Sequence, residues 1–157
     1  MFKILYIDMD NVLVDFQSGI DQTPESTFSI YEKGPQSDPD EVPGIFSRMQ
    51  PMAHAVDSVT YLARHFDCYV LSTAPWKNPL AWAEKVLWIQ TWFPDIFYKK
   101  VIISHNKHLN KGDYLIDDSP RNGAEHFAGK WIPFDPENKD SEWSRIVEYL
   151  KQQEGLG

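Results

Sequence analysis

MFKILYIDMDNVLVDF, residues 1–16, decides how the chain is read. Lys3 to Asp8 is a continuous apolar run of strand type. Such a run suits a strand covered on both faces in a parallel sheet, since a half-exposed strand would alternate between apolar and polar residues. The run ends in two aspartates separated by one residue, Asp8 and Asp10, and apolar character returns at Val12, Leu13 and Val14. Two carboxylates at the tip of a buried strand repel each other. Either they are the polar residues of an ordinary loop, or they hold something positive.

The whole chain has 157 residues, enough for one domain with a real core and too few for two ordinary ones. Acidic residues number 23 against 15 basic, a net charge of −8, which opposes contact with nucleic-acid backbones and anionic membranes. An anionic substrate would have to meet a local positive charge. The single cysteine, Cys68, can form no internal disulfide and reads as a small core residue. The N-terminal apolar run is shorter than the roughly 7–15 residues of a signal peptide's central region, and nothing approaches the roughly 20 apolar residues of a membrane span. The expectation is a soluble, cytoplasmic protein without a nucleic-acid or membrane partner; nothing in the chain specifies an oligomer.

Past the opening strand the character changes. From about Phe16 to Met52, Pro24, Gly34, Pro35, Pro39, Pro43, Gly44 and Pro51 break any pattern, and Phe28, Tyr31 and Phe46 are scattered among polar residues. That is too long for a plain loop, so residues 16–52 are read as a small cap inserted within a single domain spanning 1–157. The pattern then becomes regular. His54–Phe66 and Leu80–Phe93 have helical apolar spacing, the second opened by Asn78 and Pro79 in the positions of a cap and a first helical residue, and Ser141–Gln153 closes the chain with a stripe of Trp143, Ile146, Val147 and Leu150. Strands are expected at Cys68–Leu71, Val101–Ser104, Tyr114–Ile116 and Trp131–Phe134, and the tail Gly155–Gly157 is expected to fray. Alternating strands and helices predict an α/β fold of three layers, Rossmann-like, with a central parallel sheet and a ligand crevice at the strands' carboxyl ends.

Those ends collect chemistry. The first strand stops at Asp8 and Asp10, the second at Ser72 and Thr73, the fourth at Asp117 and Asp118, and Lys107 lies between the third and fourth. Any one of these could be a helix cap or a solvated side chain. Together they place several carboxylates at one rim, where each would raise the pKa of the others unless a cation screens them. Oxygen ligands select a hard ion such as Mg²⁺, which retains waters and usually shares its carboxylates with a substrate phosphate. With Lys107 and two hydroxyls at hand, the remaining partner reads as a phosphoryl group.

The set DMDNVLVDF, Ser72 in VLSTAP, and Lys107 ten residues before LIDDSP resembles, in order and over residues 8–120, the four motifs of the haloacid-dehalogenase-like (HAD) phosphohydrolase superfamily. Within it the chain is most similar to the 5'(3')-deoxyribonucleotidases, whose first and fourth motifs resemble DMDGVLADF and LIDDRP; AWAEKVLWIQTWFP resembles their helix after the second motif. Asn11 stands where most members have glycine, and Ser119 replaces the arginine after the paired aspartates. No stretch of the cap matches the base-binding aromatics residue by residue.

The resemblance implies a Mg²⁺-dependent phosphomonoesterase acting on a small molecule, a nucleoside or deoxynucleoside 5'- or 3'-monophosphate. It implies that Asp8 is the nucleophile and forms an aspartyl-phosphate, and that Asp10 protonates the leaving oxygen and then deprotonates the attacking water. Mg²⁺ would be held by Asp8, the backbone carbonyl of Asp10 and Asp118, with Asp117 supporting them from behind. Ser72 and Thr73 would hold the phosphoryl oxygens, and Lys107 would balance charge on phosphate and nucleophile. Stacking on a base would fall to Phe16, Phe28, Tyr31 or Phe46, since Trp82, Trp88 and Trp92 read as core. Lys77, His105 and His108 read as loop residues. The alternatives are a phosphatase for another small phosphomonoester such as a sugar phosphate, or, in a different class, a receiver-like or catalytically idle phosphate-binding domain. A receiver would lack both the aspartate two residues after the first and the insertion that follows.

Overall fold

Parallel strands cannot be joined by a tight hairpin, so each pairing here needs a crossover that leaves the sheet and returns. In a computed structural model that describes residues 1–31 and 39–157, the crossovers are made by helices and short turns. The strands are β1 (Lys3–Ile7), β2 (Val14–Asp15), β3 (Gln50–Pro51), β4 (Phe66–Ser72), β5 (Val101–Ile103), β6 (Tyr114–Asp117) and β7 (Lys130–Pro133). The helices are α1 (Phe16–Asp21), α2 (Glu25–Tyr31), α3 (Ala55–Leu62), α4 (Pro79–Trp92) and α5 (Glu142–Glu154). Five strands form one parallel sheet in the order β5-β4-β1-β6-β7; β2 and β3 form a separate antiparallel pair.

β1 is central because it is buried on both faces, as its unbroken apolar run predicts. Leu5 and Ile7 join the larger core, in which residues of α3, α4 and α5 pack, while Tyr6 joins a smaller core with Leu71, Leu115, Ala124 and Phe127. The two faces are unequal. Long helices pack into one core, and the other includes Ala124 of a 3₁₀ turn at Ala124–His126. Cys68 is buried in the larger core, and burial pushes its thiol up to about 12.

Three expectations are corrected. The tail does not fray: Leu156 packs against the core and Gly157 accepts a hydrogen bond from the Tyr61 hydroxyl at 2.8 Å. Asn78 does not cap α4 with its side chain; its amide donates to the carbonyls of Asp40 and Val42, tying the helix start to the segment 39–52. That segment also differs from an aromatic-lined cap. Val42, Ile45, Phe46 and Met49 are buried in the main core, Phe46 meeting Phe16 edge to face, so the ring expected to stack on a substrate packs inward instead. Phe28 also packs against this core. The side chain of Tyr31 and residues 32–38 lie outside the described residues.

Trp143 connects α5 to the loop after β1. Its ring is fully buried and its indole N–H donates to the Val12 carbonyl at 2.9 Å. Trp143→Phe keeps an aromatic ring but leaves that carbonyl without its donor, so it should lower stability by about 1–3 kcal/mol, read as a lower urea midpoint with unchanged slope. An unchanged midpoint would show that this bond does not anchor the loop.

Candidate active site

The chain order places β1's neighbours, β4 and β6, on opposite sides of it, so the carboxyl ends of all three strands meet at one point. Asp8 continues β1 by donating its backbone N–H to the Ile116 carbonyl at 2.9 Å. The chain then turns within a few residues. The Met9 carbonyl accepts from the N–H groups of Val12, Leu13 and Val14, and Asn11 donates to the Val14 carbonyl at 2.9 Å. The turn requires a left-handed residue, and Asn11 supplies it with φ 62°. Asparagine in place of glycine is therefore compatible with the loop, because its short side chain tolerates this conformation.

A cleft of about 380 Å³ opens over these tips, lined among others by Asp8, Asp10, Thr73, Lys107, Asp117 and Asp118. Lys107 sits on a 3₁₀ turn, Lys107–Leu109, whose first N–H donates to the Asn122 carbonyl at 2.8 Å. Its buried ammonium donates to Asp8 Oδ1 at 3.0 Å and Asp117 Oδ2 at 2.6 Å. Burial alone would lower its pKa, but the charges of Asp8 and Asp117 outweigh this and raise it. Asp118 lies beside Asp8 and the Asn11 side chain. Ligand atoms of Asp8, Asp117 and Asp118 all lie within 4.8 Å of one another.

Burial and the Asp8 charge push the carboxyls of Asp117 and Asp118 well above the ordinary carboxylate range. Carboxylates whose oxygens lie this close repel unless a proton or a cation stands between them. The donor set fits a hard divalent cation. Every candidate ligand is an oxygen, and the clustered carboxylates of Asp8, Asp117 and Asp118 meet one hydrogen-bonded ammonium, that of Lys107.

The structure brings Asp8, Asp10, Thr73, Lys107, Asp117 and Asp118 to one cleft, while Ser72 is not among the residues that line it. Asp10 does not share its carboxylate with the cluster of Asp8, Asp117 and Asp118. Its Oδ2 accepts from Lys85 at 2.9 Å, and its Oδ1 is buried without a hydrogen-bond partner. Burial raises its pKa, Lys85 opposes this, and Asp8 adds to it. Ser72 is buried at 1 % exposure and accepts from Lys85 at 3.0 Å. The Thr73 hydroxyl donates to the Ser104 carbonyl at 2.7 Å. Lys77 is exposed and 3.7 Å from Glu41. His105 packs against the rings of Trp76 and Trp82.

Sequence reasoning missed Lys85. It lies on α4 with no exposure, on the stripe formed by Ala81, Lys85, Trp88 and Ile89. The signal was there: a lysine in register with apolar positions on a helix that begins a few residues after Ser72. Trp76 was also passed over, and it stands 79 % exposed at the cleft.

Solved structures with the same architecture are HAD-like hydrolases. One, from Bacillus subtilis and bound to magnesium, superposes with a TM-score of 0.58 at 14% identity, covering 95% of this chain and 98% of its own. Another, from Xanthomonas campestris, gives 0.57 at 12% identity, covering 99% of both chains. The fold is thus that of a HAD-like hydrolase. The chain belongs to the family described as 5' nucleotidase, deoxy (pyrimidine), cytosolic type C, which matches residues 23–153. A protein of Vibrio phage KVP40 assigned as a 5'(3')-deoxyribonucleotidase is 50% identical over 148 residues, 94% of this chain and 84% of that protein. The 5'(3')-deoxyribonucleotidase of Clostridium acetobutylicum is 35% identical over 100 residues, 64% of this chain and 53% of its own length. Among the described residues, no helix is long and apolar enough to cross a membrane.

The left-handed turn is directly testable. Asn11→Ala and Asn11→Gly both remove the side-chain contact to Asp118, but only alanine meets the Cβ penalty of φ 62°. The alanine variant should therefore be less stable than the glycine variant by about 1–2 kcal/mol in denaturant unfolding. Equal stabilities would mean that the turn relaxes out of the left-handed region.

Proposed function

We propose that this chain hydrolyses nucleoside monophosphates, deoxyribonucleotides in particular, through an aspartyl-phosphate on Asp8. The observation that carries the reading is the pairing of Asp8 with Lys107 in a cleft that also holds Asp10, Asp117 and Asp118. Membership of a nucleotidase family supports the substrate class.

In the first half-reaction an Asp8 carboxylate oxygen attacks phosphorus, the bond from phosphorus to the ester oxygen breaks, and the Asp10 carboxyl gives its proton to the departing alkoxide. In the second, water attacks the same phosphorus, Asp10 accepts its proton, and the bond to Asp8 breaks to release phosphate. Lys107 offsets charge on nucleophile and phosphoryl group, and the Thr73 backbone N–H and Ser72 hydroxyl hold phosphoryl oxygens. Mg²⁺ suits the oxygen-only donors of Asp8, Asp118 and the Asp10 backbone carbonyl, with Asp117 joining or supporting them; when bound it would supply Lewis-acid stabilisation of phosphoryl charge. The exposed ring of Trp76 offers a flat face for a base where the buried Phe46 does not.

Asp8→Asn should leave a folded protein whose phosphate release falls to background on a panel of 5'- and 3'-monophosphates, ribo and deoxy. Near-normal turnover by this variant would overturn the nucleophile assignment. Preference of the unaltered protein for sugar phosphates over every nucleotide would overturn the substrate class alone.

The metal can be read without turnover. A ligand that binds only the folded state adds about 2.7 kcal/mol of stability at roughly 100 times its Kd. Mg²⁺ should therefore raise the melting temperature, and Asp118→Asn should abolish most of that rise. A rise of the same size in the variant would place the ion elsewhere.

A further inference from the structure

Lys85 is a fully buried cation that the two half-reactions above do not use. Burying an ammonium carries a desolvation penalty of several kcal/mol, and an apolar side chain of similar volume would often serve packing better. The neighbouring positions of the stripe, Ala81, Trp88 and Ile89, do serve packing in that way. What distinguishes Lys85 is where its head ends: 2.9 Å from Asp10 Oδ2, 3.0 Å from Ser72 Oγ, and 4.7 Å from the centre of the Phe46 ring.

We infer that Lys85 is a positioning residue that acts through Asp10, tying its carboxyl to the Ser72 hydroxyl and supplying the counter-charge for the carboxylate that proton donation creates. This rests on the reading of Asp10 as the proton donor. An ammonium has three donors and no lone pair, so Ser72 Oγ must accept from it. The Ser72 hydroxyl hydrogen is thereby left free for a phosphoryl oxygen. The bond to Asp10 fixes the rotation of a carboxyl whose other oxygen has no partner.

The two lysines divide the charge. Lys107 bridges Asp8 and Asp117, while Lys85 bonds Asp10. Before reaction the negative charge of the pair lies on Asp8. Once Asp8 is esterified and Asp10 has released its proton, that charge lies on Asp10, beside Lys85. A cation so placed favours the later state over the earlier one, which is the condition for lowering the barrier.

The test is a double-mutant cycle with Asp10→Asn, Lys85→Met and the pair, measured with a deoxynucleoside monophosphate and with p-nitrophenyl phosphate. An alkoxide leaving group needs a proton, whereas nitrophenolate does not. Lys85→Met should lower kcat on the nucleotide about 100-fold, the lower end of what acid-base catalysis contributes, with KM little changed. The first-turnover burst of nitrophenol should survive, and adding Lys85→Met to Asp10→Asn should cost far less than Lys85→Met costs alone. Lys85→Gln, polar but uncharged, is measured alongside, so that misfolding of the methionine variant leaves the question answerable by the same readouts. Equal losses on both substrates, or the same loss on the Asp10→Asn background, would overturn the role of Lys85. Normal nucleotide turnover by Asp10→Asn would instead overturn the reading of Asp10 on which it rests.

Discussion

Mutual repulsion among Asp8, Asp10, Asp117 and Asp118 is the constraint around which the structure is arranged. Parallel strands β1 and β6 deliver these carboxylates to one point, partly out of water, where their charges cannot be screened by solvent alone. Two lysines answer from outside the strands. Lys107 comes from a turn held over the site by the Asn122 carbonyl, and Lys85 comes from the first half of α4. Each lysine is itself expensive to bury unless paired, so acids and bases hold one another in place. Asp8, Asp117 and Asp118 still outnumber the one ammonium bonded among them, a deficit that a divalent cation would close.

Placing Lys85 requires α4 to lie close over the sheet edge, and residues 39–52 help to fix it there. The Gly44 N–H donates to Glu84 Oε1 at 2.9 Å, the Asn78 amide reaches the carbonyls of Asp40 and Val42, and the Trp88 indole donates to the Met49 carbonyl at 3.0 Å. Phe46 presents its ring to the Lys85 ammonium. The stretch after β1 thus doubles back to brace the helix that carries a cation to the site. Its apolar residues are accordingly buried, and cannot serve as a platform for substrate.

What could be read in advance followed from local rules. The unbroken apolar run 3–8 identified a central parallel strand, and the polar residues at successive strand ends identified the rim. The five sheet strands lie within two residues of their expected limits. What could not be read depended on contacts between distant segments. The pair of two-residue strands β2 and β3 joins residues 14–15 to 50–51, and the inward packing of Phe46 depends on α4. Lys85 was hidden because a lysine on a helix is normally solvated; only the position of α4 against Asp10 makes its burial tolerable. The aspartates' inequality was visible as a chemical requirement, but the burial that raises the pKa of Asp10 and the lysine that opposes it were not.

Topology explains why a site forms here, and counter-charge explains why its two leading aspartates differ. Asp8 and Asp10 leave the same strand, two residues apart, and both line the cleft. A common exit would give them similar environments. Asp8 instead faces Lys107 and lies beside Asp118, in the oxygen cluster suited to a cation, whereas Asp10 turns to Lys85 with one oxygen buried and unpartnered. One environment sets an ammonium and a neighbouring pair of carboxyls against the nucleophile. The other combines burial, which favours a proton, with an ammonium that accommodates the charge once the proton leaves. Division of labour between adjacent carboxylates therefore rests on two lysines that approach from different parts of the chain.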